Sequence, residues 1–247
     1  MQLTEQIMGM PVTLNLPDAP EQTPLFEAVF GLFHRVDERF SPYKARSEVT
    51  QVGQIGYCDS PSNEMSDILR LAEDTKHATR GYFNVWNGLS FDPSGLVKGW
   101  AIDQAALLLR RRGITNYYLE AGGDIVVSRP DRQQAPWRIG IRNPFDRHTI
   151  IKTLELTNGG VATSGTAIRG QHIYNPHAPN QPLTDIVSLT VIAPTIYDAD
   201  RFATAAFAMG TGGIHFIEQL PYLEGYQINH VGIATFTSGF DKYAATP

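Results

Sequence analysis

The chain has 247 residues, a formal net charge of −5, 42% hydrophobic and 18% charged residues, which excludes a disordered chain and leaves ample apolar surface for a core. The acidic balance gives no electrostatic case for nucleic acid or an anionic membrane surface as a partner. Cys58 is the only cysteine, so an internal disulfide and a thiolate zinc cluster are both excluded.

Residues 2–16 alternate as a strand, a turn near Gly9 and a second strand. That opening has no basic region followed by an apolar one, and no stretch of the chain approaches the ~18 apolar residues of a membrane span; a cytoplasmic protein is the expectation. Over 22–38, Leu25, Phe26, Val29, Phe30, Phe33 and Val36 recur at three- and four-residue steps and predict an amphipathic helix. "FSPYKARSE" breaks the period and reads as a loop. Ser62 or Asn63 opens a helix to about Thr79, with Met65, Ile68, Leu69 and Ala72 inward and Gly81 ending it. The next segment begins as loop or short strand and turns helical near Lys98, with Ala101, Ala105, Leu108 and Leu109 buried. Arg110, Arg111, Arg112 and Gly113 mark its C-terminus.

"NYYLEAGGDIVVS" reads as one strand interrupted at Gly122 and Gly123, by a bulge or a close backbone approach. "WRIGIRNP", "IIKTLELT", "GGVATSGTAI" and "TDIVSLTVIAP" are further strands. A helix over "DADRFATAAFAMG", a short helix from about Gly213 to Leu220, and the strands "GYQINH" and "GIATFTS" close the chain. Strands outnumber helices and come in runs, which predicts an α+β fold with mostly antiparallel sheets. No linker or composition shift divides residues 1–247, so one domain is expected.

Asp200 and Thr204 stand four residues apart, on one helical face. A carboxylate and a hydroxyl suit a hard cation such as Mg²⁺, which takes oxygen ligands and bridges carboxylates to phosphates. A helix cap or a solvated face reads the same way. "DPSGLVKG" places Gly95 and Gly99 around Lys98 at a helix start, where backbone N–H groups and the helix end attract an anion. It is neither a Walker A loop nor a Rossmann fingerprint. Thr163, Ser164 and Thr166 precede His172, and Ser164 sits outside any G-x-S-x-G elbow. His172 is the candidate for proton transfer, its ordinary pKa lying near neutrality. The other histidines form no H-x-x-x-H or H-E-x-x-H pattern.

In chain order, "MGMPVTL", "FSPYKARSEV", "GYFN", "FDPSGLVKGWAID", "LEAGGDI", "VATSGTAIRGQHIYNP" and "DADRFATAAFAMG" resemble the ApbE-type FAD:protein FMN transferases, formerly labelled thiamine biosynthesis lipoproteins. The resemblance implies an ApbE-like, T-fold-related α+β fold of two intertwined α/β halves with an FAD groove between them. It implies Mg²⁺-dependent transfer of FMN from FAD, as substrate, to a Ser or Thr hydroxyl of an acceptor flavoprotein, with release of AMP. It carries the metal site onto Asp200 and Thr204, with backbone oxygens near Gly95 and Ala203. FAD contacts fall on Met8, Tyr43, Tyr82, Phe83, Asn84, Asp92, Lys98 and Ile173, and His172 becomes the base that takes the acceptor proton. Asn84, Glu120, Thr166, Asn175 and the His177, Ala178, Pro179 stretch depart from the family pattern; they bear on acceptor recognition and leave the metal ligands intact. Two further readings stay open: an FAD pyrophosphatase using the same residues, and an FAD-binding protein without catalysis.

Overall fold

A computed structural model describes residues 1–19, 23–56, 61–88, 90–131, 133–146, 148–166 and 173–245. Strands β1 (Gln2–Ile7) and β2 (Met10–Asn15) form the first hairpin, turning through Met8 and Gly9 at φ 56° and 70°. Helix α1 (Thr23–Phe40) buries the predicted stripe. Helix α2 (Glu48–Ile55) follows, capped by Ser47, whose side chain accepts from the Thr50 N–H at 3.1 Å. Ser62 caps α3 (Asn63–Ala78), and Gly81 leaves it at φ 84°. Two short strands, β3 (Trp86–Asn87) and β4 (Ser90–Phe91), pair before α4 (Ser94–Arg111).

Helix α4 starts at Ser94, four residues ahead of the expected start at Lys98. The Asp92 carboxylate accepts from the Ser94 N–H at 2.9 Å, and Pro93 precedes the first turn. Beyond α4 the expected interrupted strand is two strands, β5 (Tyr117–Ala121) and β6 (Asp124–Ser128), paired as a hairpin. Gly122 and Gly123, at φ 59° and 95°, are its two-residue turn rather than a bulge; both positions need the positive φ that glycine adopts freely. The remaining elements are β7 (Trp137–Arg142), β8 (Ile150–Leu156), β9 (Asn158–Gly165), β10 (Ile186–Ala193), α5 (Ile196–Ala208), α6 (Gly213–Glu218), β11 (Glu224–Asn229) and β12 (Ala234–Phe236).

Eight strands form one sheet in the order β1-β2-β5-β6-β9-β10-β11-β12, and every neighbouring pair is antiparallel. The order splits into two halves of like plan. In one, β1–β2 and β5–β6 flank α1 to α4; in the other, β9–β10 and β11–β12 flank α5 and α6. The halves join where β6 pairs with β9, and α4 packs against α5 across that seam. This is the expected α+β architecture with antiparallel sheets.

The sheet is covered on both faces, by different things. Val126, Ala162, Leu189 and Val191 join the large core on the helix side. Ile125, Val127 and Val161 join a second cluster with Ile139, Ile141, Leu154 and Leu156 of the separate β7–β8 ribbon. Period-two alternation along β6 and β9 produces the division. Among the described residues, no helix is long and apolar enough to cross a membrane.

Candidate functional site

The site is built where α4 crosses α5. A Cβ on Gly99 would lie 2.6 Å from the Asp200 Cβ, and one on Gly95 3.2 Å from the Thr204 Cγ2. Each glycine is spaced one helical turn from the next, as Asp200 is from Thr204, so the two pairs face each other in register. Closeness makes the chemistry: the Gly99 N–H donates to Asp200 Oδ2 at 2.7 Å. The Thr204 hydroxyl lies 3.5 Å from that of Ser164 on β9.

Lys98, also on α4, reaches two carboxylates. Its Nζ lies 2.5 Å from Asp124 Oδ2 and 3.6 Å from Asp200 Oδ1. Asp124, the first residue of β6, also accepts from the Thr163 N–H at 3.2 Å. The two acids are 1% and 3% exposed, so one ammonium faces two buried carboxylates. Burial pushes the Asp200 carboxyl well above the usual carboxylate range; Lys98 opposes the shift, and the Asp124 charge adds to it.

Two buried anions on one cation leave an excess negative charge, which a divalent ion relieves. The donor chemistry fits Mg²⁺: one carboxylate and neighbouring hydroxyls, all hard oxygens. No group of three or more His, Cys, Asp or Glu side chains able to hold a metal occurs among the described residues. A cation here would therefore complete its shell with hydroxyl, backbone, water or phosphate oxygens, as Mg²⁺ does beside phosphates.

The cluster opens into a cavity of about 1150 Å³. Tyr82, Phe83, Asn84, Asp92, Gly95, Lys98, Ile173, Asp200 and Thr204 all line it, so most of the site residues expected from the sequence are brought together. Three are not. Met8 sits at the β1–β2 turn, where its neighbours Gly9 and Met10 line the wall instead. Tyr43 is 95% exposed on the α1–α2 connection, and Ala203 is wholly buried in the core face of α5. His172 lies outside the described residues.

The departures from the family pattern have local roles. Asn84 accepts from the Trp86 N–H at 3.1 Å and Asn175 from the His177 N–H at 2.9 Å. The His177 ring packs edge-on to Tyr82 at 4.6 Å and contacts the Arg80 carbonyl at 2.9 Å through Nε2. Glu120 accepts from the Tyr118 hydroxyl at 2.7 Å; burial, with this bond second, pushes that hydroxyl's pKa up.

Sequence reasoning did not single out Asp124 or the cavity-lining Arg138 and Arg142. For Asp124 a signal existed: one acid opening an otherwise apolar strand directly after two glycines.

The family model described as the ApbE family matches residues 85–226. The chain belongs to the ApbE family. Among curated relatives, the FAD:protein FMN transferase of Vibrio cholerae is 31% identical over 167 residues, 64% of this chain and 48% of that protein. The FAD:protein FMN transferase of Klebsiella pneumoniae is 34% identical over 132 residues, 49% of this chain and 37% of that protein. The chain thus spans about half or less of the length of these relatives. Among solved structures, the flavin transferase ApbE from Vibrio cholerae superposes with a TM-score of 0.83 at 22% identity, covering 98% of each chain. The ApbE protein from Thermotoga maritima gives 0.85 at 21% identity, covering 100% of this chain and 99% of that one. At these identities the structural likeness establishes the shared fold of the ApbE family.

Proposed function

We propose that residues 1–247 act as one Mg²⁺-dependent FAD:protein FMN transferase domain. It moves FMN from FAD to a Ser or Thr hydroxyl of an acceptor flavoprotein and releases AMP. The observation that carries the reading is the Lys98 ammonium between two buried carboxylates, on the wall of a cavity above the usual size range for one small ligand. Family membership and the names of the curated relatives support it.

In the proposed reaction the acceptor oxygen bonds to the flavin-side phosphorus. The bond from that phosphorus to the bridging oxygen breaks, and AMP departs with that oxygen. The acceptor proton passes to a base, for which His172 remains the candidate. Lys98 faces the diphosphate and stabilises charge that grows on it, and Asp124 holds the ammonium in place. Mg²⁺ would be held by Asp200 and Thr204 with the Gly95 carbonyl, Ala203 offering only its backbone, and when bound it neutralises diphosphate charge. Tyr82, Phe83, Asn84, Asp92 and Ile173 supply a mixed aromatic and polar wall for the dinucleotide. Met8 and Tyr43 are left out of this proposal because neither lines that wall.

Incubation with FAD and Mg²⁺, with and without a flavoprotein acceptor, tests the reading. AMP release with covalent FMN on the acceptor, seen by mass spectrometry, is the expected result. AMP release without acceptor identifies a pyrophosphatase, and FAD left intact in both identifies a binding protein.

A further inference from the structure

The cavity does not end at the acidic cluster. It passes the Gly122 and Gly123 turn at the ends of β5 and β6 and continues along Tyr118, Glu120 and Ile125 to the β7–β8 ribbon. Ile125 belongs to the ribbon-side cluster, so this half lies on the sheet face opposite α4 and α5. None of the residues proposed above to hold FAD or Mg²⁺ lies in it.

Its wall carries two guanidiniums. Ile139 and Ile141 of β7 are buried, which leaves Arg138, Gly140 and Arg142 on the other face of the strand. Four residues along a strand separate the two arginines by about 13 Å. Arg138 has Glu155 across the ribbon at 3.8 Å, while Arg142 has no carboxylate within ion-pair distance among the described residues. Glu120 faces the same half and is engaged by the Tyr118 hydroxyl. Ile150, opposite Arg142, is 52% exposed and also lines the wall, and the neighbouring Phe145 is 58% exposed. A cationic strand face with an apolar margin, continuous with a reaction cavity, matches an extended acidic polypeptide.

Resting on the transferase reading, we propose that this half of the cavity receives the acceptor polypeptide, and that Arg142 binds a carboxylate side chain flanking the target Ser or Thr, with Arg138 extending the cationic track further along the same face. The flavin donor occupies the helix side and the acceptor the ribbon side, and they meet at the glycine turn. Arginine suits the task because its planar fork pairs with a carboxylate through two hydrogen bonds.

The test uses three synthetic peptides, identical except that the residue two before a central Thr is Asp, Asn or Lys. AMP release and peptide binding are measured at saturating FAD and Mg²⁺ for the wild type, Arg142→Glu and the double variant Arg138→Ala/Arg142→Ala. The Asp peptide is expected to have a KM about tenfold below that of the Asn peptide, the scale of one charge-assisted pair, with the Lys peptide weakest. Arg142→Glu is expected to reverse that order, and the double variant to flatten it, with the KM for FAD unchanged. A raised KM for FAD with unaltered peptide preference overturns the proposal and assigns this half to the dinucleotide. A wild type that flavinylates a whole flavoprotein yet binds all three peptides alike, or none, also overturns it and leaves the transferase reading standing. A wild type that transfers FMN to nothing overturns the transferase reading itself.

Discussion

The two halves of the cavity hold their charges in opposite ways. On the helix side, Asp124 and Asp200 are buried and fixed by the backbone N–H groups of Thr163 and Gly99, and the partly buried Lys98 pairs with both. On the ribbon side, Arg138 and Arg142 are exposed on a two-stranded element that sits outside the main sheet. Buried charges keep their geometry because every departure from it leaves a desolvated ion unpaired, whereas exposed ones retain rotamer freedom and are screened. The contrast teaches that the helix side has the fixed geometry the proposed diphosphate chemistry needs, and the ribbon side the freedom the proposed acceptor contact needs.

The largest expected effect belongs to Asp200→Asn. It keeps an acceptor for the Gly99 N–H and removes the charge proposed for the metal, so AMP release falls by roughly 100- to 1,000-fold, on the scale of losing one preorganised electrostatic contact. The melting temperature stays level or rises, because a buried like-charge repulsion disappears. Wild-type turnover in that variant, with Mg²⁺ still required, breaks the assignment.

Next comes stability. Lys98→Met leaves two buried carboxylates without their cation and is expected to cost about 3–5 kcal/mol in urea denaturation, part of it regained on adding Mg²⁺. Arg142→Glu, on the exposed side, is expected to change stability by less than about 0.5 kcal/mol. Equal costs for the two would erase the distinction between the halves.

The helix crossing supplies a smaller contrast. Gly99→Ala drives a methyl against Asp200 and is expected to cost about 1–3 kcal/mol, with turnover falling alongside. Gly123→Ala meets nothing within 4 Å and pays only for its positive φ, about 1 kcal/mol, without moving the acidic cluster.

The smallest effect is a pH slope in the metal-free protein. Asp200 has a folded pKa above its ordinary 3.8, so the folded state binds the extra proton between those two values. Its contribution to stability is therefore fully present below 3.8 and is lost as pH rises through the raised folded pKa. Subtracting the Asp200→Asn stability curve from that of the wild type should isolate a downward slope in that window, and Mg²⁺, by displacing the proton, should flatten it. An upward slope there contradicts the burial argument.

Much of this was legible in the sequence, where local periodicity governs. The 3.6-residue repeat sets the α1 stripe and puts Asp200 and Thr204 on one face of α5. Alternation marks most of the sheet strands. Helix α2 was not legible, because eight residues give too short a repeat beside a polar loop broken at Pro42; its signal is the Ser47 cap alone. The early start of α4 was hidden by Gly95 and Gly99, poor helix formers retained because the crossing with α5 leaves no room for a side chain. Asp124 was hidden for another reason. Its partner Lys98 lies on α4, and only the packing of α4 against β6 brings the two together. The ribbon arginines look like ordinary surface charges until the cavity is traced past the glycine turn.

The central claim is a divalent ion on Asp200 and Thr204 beside a diphosphate held by Lys98. A crystal grown with FAD and Mn²⁺, with anomalous scattering recorded at the manganese edge, tests it most directly. The account predicts one anomalous peak in contact with the Asp200 carboxylate and the Thr204 hydroxyl, with FAD phosphate oxygens on the same ion and Lys98 beside them. A peak elsewhere in the cavity, or FAD bound with its phosphates away from that pair, contradicts it.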